Sequence, residues 1–335
     1  MLKDLHKRLR PMGILDILDE TVELYKRNFV LLVGIAAFLY VPLFLFQASM
    51  QKPGLSGQKG MTMQETISFL VPFVLSMVLY VVASTVVTGA LTFAISDRYL
   101  ERATSIGACY KRVLRPRLFF SFVWANILAW LIAVAPIGPG VGLIAVGGFA
   151  AGMGGGTALV VFGSLLALAG LVMCVIIMFR VLLLAPAFFV ETGTAWPAVK
   201  RSWQLMKGNA GKAFVVLLIT SIAVSMLHGI LTMPLQLSNL KDAFVSGGQP
   251  APPSFLYTLV STIVNTLLMP VNSIVVILLY YDVRIRKEGF DLELLARDLD
   301  ERSKAFAAEG AAALPQEQTP PPPPQEPPPS AEGQA

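Results

Sequence analysis

Gly13-Ile14-Leu15-Asp16-Ile17-Leu18-Asp19-Glu20-Thr21-Val22-Glu23-Leu24-Tyr25-Lys26-Arg27-Asn28-Phe29 is the stretch that decides the fold. On a helical wheel of about 100° per residue, Ile14, Leu15, Ile17, Leu18, Val22, Leu24, Tyr25 and Phe29 fall on one half, and Asp16, Asp19, Glu20, Glu23, Lys26 and Arg27 fall on the other. Such a helix either packs on a protein core or lies in a membrane interface, one face in the acyl boundary and one in water. The next residues favour the interface, because from Phe29 to Met50 the chain is apolar and carries no charge.

Composition extends this reading. Of 335 residues, 55% are hydrophobic and 14% charged, with a mean hydropathy of +0.67. Soluble domains carry about 25% charged residues, and several runs here approach the ~20 apolar residues that a bilayer crossing requires. The chain is therefore expected to be an all-α polytopic membrane protein. Its formal charge of +5 is unevenly placed. Residues 1–287 hold 23 Lys+Arg against 11 Asp+Glu, while residues 288–335 hold 3 against 10. A basic membrane body with an acidic tail points to anionic lipid headgroups as partners and away from nucleic acid. Cys109 and Cys174 offer no disulfide framework. The basic N-terminus leads into an acidic segment without a signal-peptide core, so it is expected to be retained.

Six transmembrane helices are expected, at about 30–48, 67–95, 118–136, 158–179, 213–235 and 255–281. The basic connections alternate with nearly uncharged ones, which by the positive-inside rule puts both termini in the cytoplasm of a cytoplasmic (inner) membrane. Three short amphipathic helices precede the span pairs. In the second, Thr104 or Ser105 is the candidate cap, and Ile106, Cys109, Tyr110, Val113 and Leu114 share a face. In the third, Trp196, Val199, Trp203 and Met206 do. The spacing of about 90 residues suggests a threefold parallel repeat over 12–100, 101–192 and 193–289. Positive-inside pressure alone would also make three basic linkers. Residues 138–156 are uncharged and glycine-rich. They suit a loop, a re-entrant turn, or close helix packing through Gly148, Gly152 and Gly156. Beyond the membrane domain of 1–289, residues 290–308 read as a further amphipathic helix and 309–335 as a disordered Pro-rich tail.

Few residues could carry chemistry. His6 and His228 are the only histidines. With no HExxH, CxxC or paired carboxylates in a span, no catalytic residue, metal site or cofactor is expected. The intramembrane polar candidates are Arg180, His228, Asn265 and Asn272, which would either join helices or line a cavity. Arg180 is interfacial if its span stops there and deeper if the helix continues to Val190. The candidates for headgroup or interface contact are Lys26, Arg27, Lys111, Arg112, Arg115, Arg117, Lys200, Arg201, Arg284, Arg286 and Lys287, with Trp196 and Trp203 as interfacial anchors.

Gly13-Ile14-Leu15-Asp16 with Tyr25-Lys26-Arg27-Asn28-Phe29, Ala198-Val199-Lys200-Arg201-Ser202-Trp203, and Tyr281-Asp282-Val283-Arg284-Ile285-Arg286-Lys287-Glu288-Gly289-Phe290-Asp291 together resemble the bacterial membrane domain fused to some glycerophosphoryl diester phosphodiesterases. The resemblance implies a membrane module without hydrolase activity, because in the fused proteins a separate soluble domain performs the hydrolysis. The expected function is a non-enzymatic module that binds anionic lipid or scaffolds a partner, the partner being met through 290–335. The alternative is a permease for a lipid or small solute, using a cavity near Asn265, Asn272 and His228.

Overall fold

The computed structural model describes residues 11–50, 63–151, 156–245, 254–289 and 303–304. The chain divides into two units, 1–289 and 290–335. In the second unit Ser303 and Lys304 are helical, and the expected amphipathic helix and Pro-rich tail otherwise lie outside the described residues.

The described residues of the first unit are helical and contain no strand. Helix α1 (Ile14–Arg27) leads into α2 (Phe29–Met50) and α3 (Met63–Tyr99). A short α4 (Ile106–Val113) precedes α5 (Pro116–Val134), a 3-10 turn (Ala135–Ile137), α6 (Gly138–Ala151) and α7 (Thr157–Arg180). A helical turn, Leu184–Pro186, then runs through a π-helical Ala187–Thr192 to α8 (Ala195–Met206), α9 (Ala210–Val245) and α10 (Phe255–Glu288). Five stretches are long and apolar enough to cross a membrane: Leu70–Tyr99, Pro116–Ala150, Thr157–Arg180, Ala210–Leu237 and Phe255–Glu288. Counting α1 with the start of α2, which are bent by 78°, gives a sixth.

The helix ends follow local chemistry. Asp16 reaches back to the Gly13 backbone N–H at 2.8 Å, which opens α1. Asn28 Nδ2 donates to the Leu24 carbonyl at its close. Of the two candidate caps for α4, Ser105 is the one used: its hydroxyl accepts from the Ala108 N–H. Pro116 stands at the first position of α5, where its missing N–H leaves no helical bond unmade.

The core draws on helices throughout the first unit, among them the C-terminal half of α10, where Ile274, Val275, Ile277, Leu278, Leu279, Tyr280, Tyr281, Val283 and Ile285 are all buried. Helix α1 lies beside α10. The Met12 N–H donates to Asp282 at 2.8 Å, and Tyr25 Oη donates to the Leu267 carbonyl at 2.8 Å. The first contact is at the start of α1 and the second near its end, so α1 runs antiparallel along α10. Ile17, Thr21 and Leu24 are its buried residues. Tyr99 of α3 stacks on Tyr281, with ring centroids 5.0 Å apart. The N-terminal half of α3 is different: Val71, Phe73, Val74, Leu75, Met77, Val78 and Leu79 are all exposed, an apolar helix bare on nearly every side.

Of the three readings open for 138–156, close helix packing is the one observed over 138–151: α6 prolongs α5, and the pair packs against α7. The glycines at that contact are different from those expected. A Cβ on Gly140 would stand 2.3 Å from the Ala167 backbone nitrogen, one on Gly147 2.8 Å from that of Val160, and one on Gly163 2.9 Å from that of Ile144. At Gly170 it would stand 2.3 Å from the Pro136 carbonyl oxygen. Gly148 faces open space, Gly156 is the left-handed residue before α7, and Gly152 lies outside the described residues. Uncharged glycine-rich sequence reads as flexible, but absent Cβ atoms also allow two backbones to touch.

Candidate functional site: ion clusters and an uncharged cleft

One end of the bundle is joined by three ionic contacts. In the first, the fully buried Asp282 carboxylate of α10 accepts from Lys212 Nζ at 2.5 Å and from Arg286 Nε at 3.1 Å. Lys212 Nζ also donates to the Met12 carbonyl at 2.6 Å, and an Arg286 nitrogen donates to the same oxygen at 2.7 Å. The carboxylate is therefore met on several sides, which offsets the loss of water around a buried polar group.

The second cluster is built around Glu191 on the π-helical turn, which Gly193 closes at φ +61°. Arg201 of α8 lies 2.5 Å from Glu191 and 2.5 Å from Glu288. Arg284 lies 3.2 Å from Glu191 and 3.4 Å from Glu288, and Tyr280 Oη donates to Glu191 at 2.5 Å. Glu288, with Glu191 behind it, holds the Arg201 guanidinium charged well above its ordinary range. Lys287 Nζ donates to the Gln204 and Lys207 carbonyls at 2.9 and 2.6 Å, closing the end of α8. The third contact pairs Arg112 of α4 with Asp97 of α3 at 2.8 Å, and the Arg112 guanidinium sits over the Phe93 ring.

These partnerships sort the basic residues. Arg112, Arg201, Arg284, Arg286 and Lys287 have internal partners. Lys26, Arg27, Lys111, Arg115, Arg117 and Lys200 are exposed. Arg27 also lines a cleft of about 260 Å³ with Glu20, Glu23, Asn28, Arg98 and Glu101. The expected apolar face of α8 divides: Val199 and Met206 are buried, whereas Trp196 is 61% and Trp203 39% exposed. Leu114, expected on the buried face of α4, is exposed. Helix α7 ends at Arg180, so the shorter span is the observed one. There the guanidinium lies 5.5 Å over the Trp203 ring, and the Arg180 carbonyl accepts from Ser202 Oγ at 3.0 Å.

Asn265 and Asn272 come together in a second cleft, of about 430 Å³, between α2, α3, α9 and α10. Tyr40, Tyr80, Thr262 and Thr266 share its lining with Leu43, Phe44, Val224, Leu268 and Met269. His228 does not line it, and its Nε2 lies 3.3 Å from Ser261 Oγ. Among the described residues no group of three or more His, Cys, Asp or Glu side chains is placed to hold a metal ion.

Asp282, Lys212, Glu191, Asp97 and the Tyr280–Tyr281 pair were not anticipated as site residues. A signal was present in their spacing: Asp282 with Arg286, and Arg284 with Glu288, are four apart and share helix faces. Glu191 gave no such signal, because a π-turn and a separate helix bring it to its partners.

The helices and clusters describe a multi-helical protein with five or six helices suited to crossing a membrane. The chain belongs to the family described as Domain of unknown function (DUF7847), whose model matches residues 12–283. The match begins at Met12 and ends one residue beyond Asp282, the two residues joined by the first cluster. No curated protein and no solved structure matches the chain.

Proposed function

We propose that the protein is a non-enzymatic module of a bacterial cytoplasmic membrane, with six spans and both termini cytoplasmic, that recognises anionic lipid headgroups. The observation that carries this reading is the division among the cations. Five are engaged by carboxylates or carbonyls, while Lys111, Arg115, Arg117 and Lys200 are exposed and have no side-chain hydrogen bond or ion pair among the described residues, beside the exposed Trp196. Leu118 at the start of α5 reaches Gly193, which brings the 111–117 segment to the start of α8. Cations flanked by a tryptophan at the end of apolar helices suit an anionic headgroup layer. The order of one short and two long helices, met three times along the chain, supports a threefold repeat, with α1, α4 and α8 as its interfacial members.

The test is native mass spectrometry of the full chain titrated with phosphatidylglycerol or phosphatidylcholine. Preferential phosphatidylglycerol adducts are expected, weakened by salt and lost in a K111Q/R115Q/R117Q/K200Q variant. Equal retention of both lipids, or adducts indifferent to the variant, rejects the reading. Partner capture, if it uses 290–335, is abolished by deleting that segment. The alternative, a permease for a lipid or small solute, draws support from the cleft beside Asn265 and Asn272. Uptake indifferent to alanine at both would reject it.

A further inference from the structure

The cleft between α2, α3, α9 and α10 combines polar heads with an apolar setting. Among the described residues, neither the Asn265 and Asn272 amides nor the Tyr40 and Tyr80 hydroxyls have a hydrogen-bond partner. By helical rise they stand well away from the ionic end: Asn272 is about 15 Å along α10 from Asp282, and Tyr80 about 25 Å along α3 from Asp97. Their neighbours at that height are exposed and apolar, Val78, Leu79, Val81 and Val82 on α3 and Met226, Leu227 and Ile230 on α9. Polar groups in a hydrocarbon layer each cost several kcal/mol unless something meets them.

We propose that this cleft binds the ester-bearing backbone region of a diacyl membrane lipid, a second lipid site independent of the cationic surface. Three observations select that ligand. Among the described residues the lining holds no Asp, Glu, Lys, Arg or His, so a charged solute would enter without a counterion. Phenol and amide heads donate to carbonyl oxygens and can also take a hydroxyl. Leu43, Phe44, Leu268 and Met269 line the remainder and give an acyl chain its contact. The volume falls in the ~300–1,000 Å³ range of small-ligand sites.

The experiment uses the full chain in phosphatidylcholine nanodiscs doped with a phosphatidylcholine bearing a diazirine near the glycerol backbone. After illumination, the adducts are mapped by peptide mass spectrometry. Labelling around Tyr40, Tyr80 and Asn265–Asn272 should saturate as the probe fraction rises and fall severalfold in an N265L/N272L variant. Labelling of the exposed Met173–Met178 face should rise in proportion to the probe and ignore the variant. Cleft labelling that is absent, or that only tracks probe fraction, overturns the proposal without relying on any variant. So does an Asn265→Cys thiol that reacts with a membrane-impermeant thiosulfonate as fast as a free thiol, because the cleft would then hold water. The cationic-surface reading survives either failure, since this probe carries no net charge.

Discussion

Lys212 Nζ lies 2.5 Å from Asp282 Oδ2, joining residues 70 positions apart at a carboxylate with no solvent exposure. Through the Met12 backbone the same pair holds the start of α1. One contact thus ties together the beginnings of α1 and α9 and the end of α10.

Removing both partners should therefore cost less than the two separate losses combined. Lys212→Met or Asp282→Asn alone is expected to cost about 1.5–3 kcal/mol, the range for a hydrogen bond to a charged group, because Arg286 and the Met12 backbone remain to meet whichever partner is left. The double variant should be less damaging than the two single effects added together. A double-mutant cycle on thermal midpoints in detergent measures the coupling. Strict additivity would mean that Arg286 and Met12 alone satisfy Asp282.

The Glu191 cluster predicts a different pattern. Arg201 meets two carboxylates at once, which a lysine cannot do with the same geometry. Arg201→Lys should cost about 1 kcal/mol or less, because the cluster is partly solvated. Arg201→Gln leaves Glu191 and Glu288 with Arg284 as their remaining cation in the cluster and should cost more. Proteolysis at the α7–α8 junction, where the π-turn lies, is the sensitive readout and should increase in the same order.

Close packing of α6 on α7 is tested by alanine. Gly140→Ala and Gly170→Ala each place a Cβ 2.3 Å from backbone atoms, so the helices must separate, at about 1–3 kcal/mol. Gly148→Ala meets nothing within 4 Å and should be neutral or slightly stabilising. Thermal midpoints of the three variants should separate the first two from the third.

Helix α4 makes two predictions through neighbouring residues. Burial pushes the Cys109 thiol above its ordinary value, so iodoacetamide should label it only after unfolding. Burial also raises the Tyr110 phenol from 10.0 to about 12, and its hydroxyl donates to the Ile35 carbonyl. The fold favours the protonated phenol, so its contribution is complete below pH 10.0 and disappears as pH rises through about 12. Tyr110→Phe should lose about 1 kcal/mol at neutral pH and show a flatter alkaline fall in thermal midpoint between those values.

Much of the fold was legible because membrane spans are written as length and apolarity. Thr157–Arg180 and the starts of α9 and α10 were readable from those two properties, whereas Phe29–Phe44 qualifies only together with α1, across a bend of 78°. The uncharged glycine-rich run of 138–156 was ambiguous: such sequence suits a loop as well as a packed helix, and here one 3-10 turn carries the helix through to Ala151. The cleft was half legible. Asn265 and Asn272, seven apart on one helix, were visible, but Tyr40 and Tyr80 come from helices whose pairing the sequence does not state. The cations were found and their partners were not, because Glu191 and Asp282 acquire their meaning only when distant segments meet. His228 was grouped with the asparagines by depth, but depth without azimuth cannot assign a neighbour.

The glycines of the α6–α7 contact also limit how the molecule can move. From Gly140 to Gly147 the first helix advances seven residues, while the facing position retreats seven, from Ala167 to Val160. Gly163 and Gly170 repeat that interval on the other helix. A slide of one helix past the other would drive side chains into the notches at every intermediate stop and fit again only after seven residues, about 10 Å. The pair is thus a keyed joint rather than a piston.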